Sequence, residues 1–160
     1  MSILSLRDLA KSKMKRSRYT RKLTRKEVKR IKKRGYDAER ELVHKLRDAG
    51  FDALRVPVSA PSKEPLPDVF AVKDDAILAF EVKSHNRYAF YKKGQVEKLH
   101  DFLEIHRFYP RRIAVLAAKF KYKGWTFLVA EKSGDYSIKH GEGQTFEDML
   151  KTISQISTLP

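Results

Sequence analysis

The chain has 160 residues, with 35 Lys and Arg against 20 Asp and Glu, a formal net charge of +15 and a pI near 10.0. Its 41% hydrophobic and 11% aromatic residues are enough for a single core, which excludes a wholly disordered basic protein. The absence of Cys excludes disulfides, thiol nucleophiles, thiolate zinc sites and iron–sulfur ligation. No apolar run reaches the roughly 18 residues of a membrane span, and Arg7 and Asp8 sit where a signal peptide is apolar, so a soluble cytoplasmic protein with no membrane partner is expected.

The positive charge is concentrated at the start. Residues 1–34 hold fifteen Lys and Arg against two acids, Asp8 and Glu27, and residues 35–160 are close to neutral. The chain therefore divides into a basic arm, 1–34, and a folded domain, 35–160. A surplus of this sign attracts polyanions, and Lys11 to Lys22 offers only Met14 and Tyr19 as apolar anchors, so nucleic acid is favoured over a membrane surface.

Thr24-Arg25-Lys26-Glu27 has capping-box spacing and, with Val28 and Ile31, predicts a short basic helix that Gly35 stops. From Asp37, the apolar positions Ala38, Leu42, Val43, Leu46 and Ala49 predict an amphipathic helix ended by Gly50. Strands are expected over Ala53–Val58, Asp68–Val72 and Ala76–Val82, with a Pro-rich loop at Pro57, Pro61, Pro65 and Pro67. A second helix runs from Lys93 to Phe108 on Val96, Leu99, Phe102, Leu103 and His106, ended before Pro110. Arg112–Ala118 and Trp125–Ala130 read as strands, and a last helix starts at Thr145, with Asp148 at cap spacing. This order suggests one mixed sheet flanked by helices, an α/β fold.

The chemistry gathers at the second and third strands. Alternation puts Glu81 and Lys83 on one face while Phe80 and Val82 enter the core. A two-residue turn at Asp74-Asp75 sets Val72 against Ile77 and, carried to the strand end, Asp68 against Glu81. Two facing carboxylates destabilise a sheet unless a proton or cation lies between them, and oxygen ligands at that spacing suit Mg²⁺ or Mn²⁺. Taken singly, an Asp after Pro is most often a turn residue and Glu-x-Lys a solvated pair. Together, Pro67-Asp68 and, thirteen residues on, Glu81-Val82-Lys83 match the PD-(D/E)-x-K nuclease pattern. The five histidines, His44, His85, His100, His106 and His140, show no ligand spacing, and Gly141-x-Gly143 lacks the rest of a phosphate-cradling loop.

Arg34-Gly35-Tyr36-Asp37-Ala38-Glu39-Arg40-Glu41-Leu42-Val43, then Leu46, Gly50-Phe51, Arg55, Ser59, Pro67-Asp68 and Glu81-Val82-Lys83-Ser84 resemble the archaeal Holliday-junction resolvases, with likeness continuing through Gln95, Val115-Leu116-Ala117 and Gly124-Trp125. The resemblance implies a restriction-endonuclease-like core, a central mixed sheet of about five strands flanked by helices. It also implies a structure-selective endonuclease that resolves four-way junctions as a homodimer, by Mg²⁺-dependent hydrolysis in which Mn²⁺ can substitute. Glu39, Asp68 and Glu81 would be the metal ligands, and Lys83 would orient the attacking water or stabilise developing charge. Ser59 would be the catalytic-loop serine, although this chain reads Ser59-Ala60 where Ser-Gly is usual. Arg40 and Arg55 would be the family's two arginines, each equally readable as a partner for a nearby acid.

Lys63, Arg87, Lys92 and Lys93 read as DNA-backbone contacts. Phe102, Leu103 and Phe108 are candidates for the dimer interface and equally for ordinary core. A nickase or restriction-type enzyme of the same superfamily, and a non-catalytic nucleic-acid-binding protein, remain alternatives. If about five arm cations meet phosphates, binding should weaken roughly 500-fold between 50 and 200 mM salt. Deleting residues 1–30 is expected to flatten that dependence and leave the chemical step intact; binding titrations across salt and a single-turnover rate check both.

Overall fold

The computed structural model describes residues 21–57 and 62–156, in two compact units, Met1–Arg30 and Ile31–Pro160. In the first unit, the Thr24 hydroxyl accepts from the Glu27 N–H (3.2 Å) and the Glu27 carboxylate accepts from the Thr24 N–H (2.8 Å), the reciprocal cap that the spacing predicts. This cap opens α1 (Arg25–Asp48), one continuous helix of 24 residues. The expected stop at Gly35 does not occur. Gly35 does not take the left-handed backbone of a terminating glycine, and a Lys33–Asp37 ion pair at 2.8 Å spans it. The real stop is Gly50, at φ 86, where the Gly50 N–H reaches the Arg47 carbonyl and the Phe51 N–H reaches the Leu46 carbonyl.

Seven strands follow in two sheets. The main sheet holds β1 (Asp52–Arg55), β2 (Val69–Lys73), β3 (Ala76–His85), β5 (Arg111–Phe120) and β6 (Gly124–Val129), in the order β1-β2-β3-β5-β6. β3 and β5 run parallel over ten residue pairs, and every other neighbour is antiparallel, so the sheet is mixed and five-stranded, as expected. A second sheet pairs β4 (Tyr88–Tyr91) with β7 (Tyr136–Lys139). Neither strand is legible from alternation, since each has only four residues, with two of the four buried in β4 and only Ile138 buried in β7. α2 (Lys93–Ile105) crosses from β4 to β5, and α3 (Phe146–Gln155) closes the fold, with the Thr145 hydroxyl accepting from the Asp148 N–H at 3.1 Å.

Beyond shifts of one or two residues in β2, β5 and β6, three ends lie three residues from expectation. β1 ends at Arg55, before Pro57, which has no N–H to offer a ladder. α2 ends at Ile105, with His106 as its C-cap. β3 runs three residues past Val82, because Lys83, Ser84 and His85 pair with Ala118, Lys119 and Phe120 of β5. A partner strand keeps polar residues extended where their own propensity would not.

Both faces of the sheet are covered. Ala76, Leu78, Phe80 and Val82 of β3 join Ala38, Leu42, Val43 and Leu46 of α1 and Met149 and Ile153 of α3. Ile77 and Ala79 face the other way, with Val96, Leu99, Phe102 and Leu103 of α2, Ala89 and Tyr91 of β4, and Leu116 and Ala118 of β5. α1 is also held by polar ties. Glu41 pairs with Lys119 of β5 and accepts from the Trp125 indole N–H at 2.7 Å. Leu42 is fully buried in the first of these layers. Leu42→Ala should therefore lower unfolding free energy by about 2–5 kcal/mol with the denaturant slope unchanged, as read by urea titration.

Candidate active site

The β2–β3 hairpin forms in the register the alternation predicts. Val72 faces Ile77, Lys73 faces Ala76 and Val69 faces Phe80, across a turn in which Asp74 takes φ 52, a left-handed conformation that Asp tolerates. Asp68 is the next residue out, and there the ladder shifts. Its N–H bonds the Phe80 carbonyl at 3.0 Å, and its carboxylate accepts from the Val82 N–H at 2.8 Å. Asp68 is thus anchored to the main chain on either side of Glu81. Glu81 and Lys83 continue the β3 row begun by Ile77 and Ala79, on the α2 face. That face is only half-open to water, unlike that of a fully solvated Glu-x-Lys pair. Gln95, in the first turn of α2, donates its amide N–H to the Glu81 carboxylate at 2.7 Å, and its carbonyl accepts from the Lys92 N–H at 3.1 Å.

Burial sets the electrostatics. The Glu81 carboxyl is pushed up to about 8, first by loss of water and then by the Asp68 charge, against the pull of Lys83 and Lys98. Asp68 is also raised by burial, offset by its bond from the Val82 N–H and by the charges of Lys83 and Arg55. Glu39, from α1, is raised by burial and by the charge of Asp68, although Arg55 of β1 holds it in a salt bridge. Tyr91 lies under the site, with the Lys83 ammonium 5.4 Å from its ring centre and its hydroxyl donating to the Ala117 carbonyl at 2.8 Å. Its hydroxyl pKa is driven well above the usual range, by burial and then by the Glu81 and Asp68 charges.

Glu39, Asp68, Glu81, Lys83 and Arg55 therefore share one electrostatic neighbourhood, drawn from α1, the approach to β2, β3 and β1. Among the described residues, however, no three carboxylates or imidazoles close on a common point as a ready ligand shell. Glu39 is turned to Arg55, and Glu81 to Gln95. The donor set suits a hard divalent cation at Asp68 and Glu81, two half-buried oxygen donors whose mutual repulsion Lys83, Lys98 and Arg55 only partly offset.

The other expected residues lie around this centre or away from it. Ser59 lies outside the described residues. Arg40 pairs with Asp37 at 3.4 Å on the exposed side of α1. Lys63, Arg87, Lys92 and Lys93 are exposed, Lys92 as the N-cap of α2 and Lys93 beside Glu97 at 3.6 Å. Phe102 and Leu103 are buried in the core, whereas Phe108 is 95% exposed. Lys98 and Tyr91 escape notice in the sequence, and Gln95 enters only through the family likeness, because only the packing of α2 and β4 over β3 brings them to the acids. The one available signal was helical spacing, which places Gln95 and Lys98 on the same face as Leu99 and Phe102.

The Glu81 shift has a consequence for stability. Its folded pKa, about 8, lies above the ordinary 4.5, so between those values the native state holds more protons than the unfolded chain. That contribution is complete below about pH 4.5 and disappears as pH rises through 8. The metal-free protein should lose up to a few kcal/mol over this window, at about 1.36 kcal/mol per pKa unit. Glu81→Gln should flatten the decline; urea midpoints collected from pH 5 to 8.5 for both proteins test it, and a parental midpoint that rises with pH would refute it.

The family model described as archaeal Holliday junction resolvase (Hjc) matches residues 30–158. The chain is 40% identical over 124 residues to the crossover junction endodeoxyribonuclease Hje of Saccharolobus solfataricus, covering 76% of this chain and 90% of that one. It is 36% identical over 110 residues to the crossover junction endodeoxyribonuclease of Sulfolobus islandicus rod-shaped virus 1, covering 68% and 89%. The solved structure of Archaeoglobus fulgidus Hjc, a Holliday junction resolvase, superposes with a TM-score of 0.54 at 27% identity, over 66% of this chain and 88% of that one.

Proposed function

The chain belongs to the archaeal Holliday junction resolvase family, and from that premise we propose that it is an endonuclease cutting four-way DNA junctions by hydrolysis dependent on Mg²⁺, for which Mn²⁺ can substitute. The observation that carries the reading is the half-buried pair Asp68 and Glu81, partly desolvated beside the Lys83 ammonium. Burying two acids together raises free energy, and a divalent cation relieves it. Glu39, paired here with Arg55, would be the third oxygen donor to such a cation. Such a cation would supply positive charge to the phosphorane-like transition state and acidity to the attacking water.

The chain's own groups do the rest. The Val82 N–H fixes one Asp68 oxygen, and Gln95 fixes one Glu81 oxygen, so neither acid must be ordered as substrate arrives. Lys83, on the same strand row, orients the attacking water or meets charge on the transferring phosphate. Arg40, Lys63, Arg87, Lys92 and Lys93 are exposed and suited to phosphate contacts, which position DNA without reading its sequence. Ser59 is assigned to the catalytic loop by its place in the family pattern. A junction with twofold symmetry is cut on two strands, so the working unit is a twofold dimer. Ile105 and Phe108, 64% and 95% exposed at the end of α2, offer it an apolar contact.

Asp68→Ala and Glu81→Ala should still bind a four-way junction while losing at least 10²–10³-fold in cleavage rate, about 2.7–4 kcal/mol of barrier. Gel assays on four-way, flap and linear substrates with Mg²⁺ measure this. Undiminished cutting by either variant would remove the site assignment, and equal cutting of all three substrates by the parent would indicate a nuclease that does not select junctions.

A further inference from the structure

We propose that the cleft between the end of β3 and the exposed side of β4 receives bases unstacked at the branch point of the junction, with Tyr88 and Phe90 as the stacking surfaces. This deepens the function proposed above and rests on it. Alternation on β4 sends Ala89 and Tyr91 into the core and turns Tyr88 and Phe90 outward, 59% and 45% exposed. Across the ladder, their partners are Lys139 and Ser137. The two rings form one wall of a cleft of about 570 Å³, whose other lining residues are Lys83, His85, Asn86 and Arg87.

That lining contains no acid. It joins aromatic faces to cations, the combination that holds unpaired nucleic acid, because every base has a face to stack and every nucleotide a phosphate to neutralise. Lys83 belongs both to this cleft and to the acid site, so a base held there places its backbone beside the hydrolytic centre. The turn after β5 adds to the same margin. The Lys121 N–H donates to the His85 carbonyl at 3.1 Å, bringing in Lys121-Tyr122-Lys123, whose Tyr122 is 94% exposed and carries φ 63, uncommon for a bulky residue.

Two other concavities lack this character. One, of about 240 Å³, includes Lys73 and Arg111, but Lys73 bonds the Ala49 carbonyl and Arg111 bonds Asp75 and the Ile153 carbonyl. The other, along β1 and β2, is lined chiefly by Phe51, Ala53, Leu54, Phe70 and Val72 and suits an apolar contact. An intact duplex keeps its base faces stacked on one another, whereas a branch point frees them. Stacking at Tyr88 and Phe90 would therefore distinguish branched from linear DNA without reading a base edge.

The test uses the full chain in EDTA, with a four-way junction and a linear duplex of matching sequence. Tyr88→Leu/Phe90→Leu keeps apolar bulk but removes the π-faces. It should raise Kd for the junction at least tenfold while Kd for the duplex moves less than twofold, with an unchanged thermal melt confirming the fold. In the parent protein, 5-iodouracil at the branch point should photocrosslink to Tyr88 or Phe90, and the same base in an arm should not. An unchanged junction Kd in the folded variant, crosslinks that avoid both residues, or loss of a dimer in sedimentation would each overturn the proposal, the last by making the patch a protein interface. A parent that crosslinks at these residues but fails to cut in Mg²⁺ would instead refute the hydrolase reading alone.

Discussion

β3 is buried on both sides from Ala76 to Phe80, and it carries Glu81 and Lys83 in the same row as Ile77 and Ala79, where that burial begins to open. The row is apolar where the body of α2 covers it and charged where α2 begins, beside Gln95. The acids are therefore held in a half-buried place by groups that belong to the fold. The Val82 N–H takes Asp68, the Gln95 amide takes Glu81, and Arg55 takes Glu39. Each contact satisfies an oxygen without neutralising the Asp68–Glu81 pair, and loss of water, then the Asp68 charge, pushes the Glu81 carboxyl up to about 8.

Such an arrangement weakens the isolated fold, and the surrounding packing offsets it. Phe80 and Val82 alternate with Glu81 and Lys83 and lie in the opposite layer with α1 and α3. The strand that presents the acids is thus clamped from behind by its own neighbours. The parallel pairing of β3 with β5 extends the clamp through Lys83 to His85, beyond the apolar run that would have held the strand by itself. A preorganised polar site on a rigid strand spares the reorganisation that a loop would need when substrate arrives.

The charge is deployed in two ways. The arm concentrates a net +13 in residues 1–34, suited to long-range attraction of a polyanion that weakens with salt. Around the acid site the cations are fewer and placed singly, and several are engaged, such as Arg55 with Glu39 and Lys98 with the Ser62 carbonyl at 2.7 Å. Aromatic surfaces at Tyr88, Phe90 and Tyr122 take the positions between free cations.

The amino-acid sequence by itself determined the hairpin register, the capping at Thr24 and Thr145, the stop at Gly50 and the juxtaposition of Asp68 with Glu81. All of these follow from contacts within a few residues or from a period of two. The motif of Asp68, Glu81 and Lys83 was legible for the same reason, as two acids and a lysine at set distances, whereas Glu39 came only from the family resemblance. Tertiary structure decided what local spacing does not encode. α1 ran through Gly35 because an ion pair across that glycine and the packed face beyond it supported the helix. β4 and β7, four residues each, became strands only by finding one another 45 or more residues apart. The burial of the carboxylates, and with it their raised pKa values, came from α2 and β4 folding over β3, and desolvation belongs to the assembled layers rather than to any one segment.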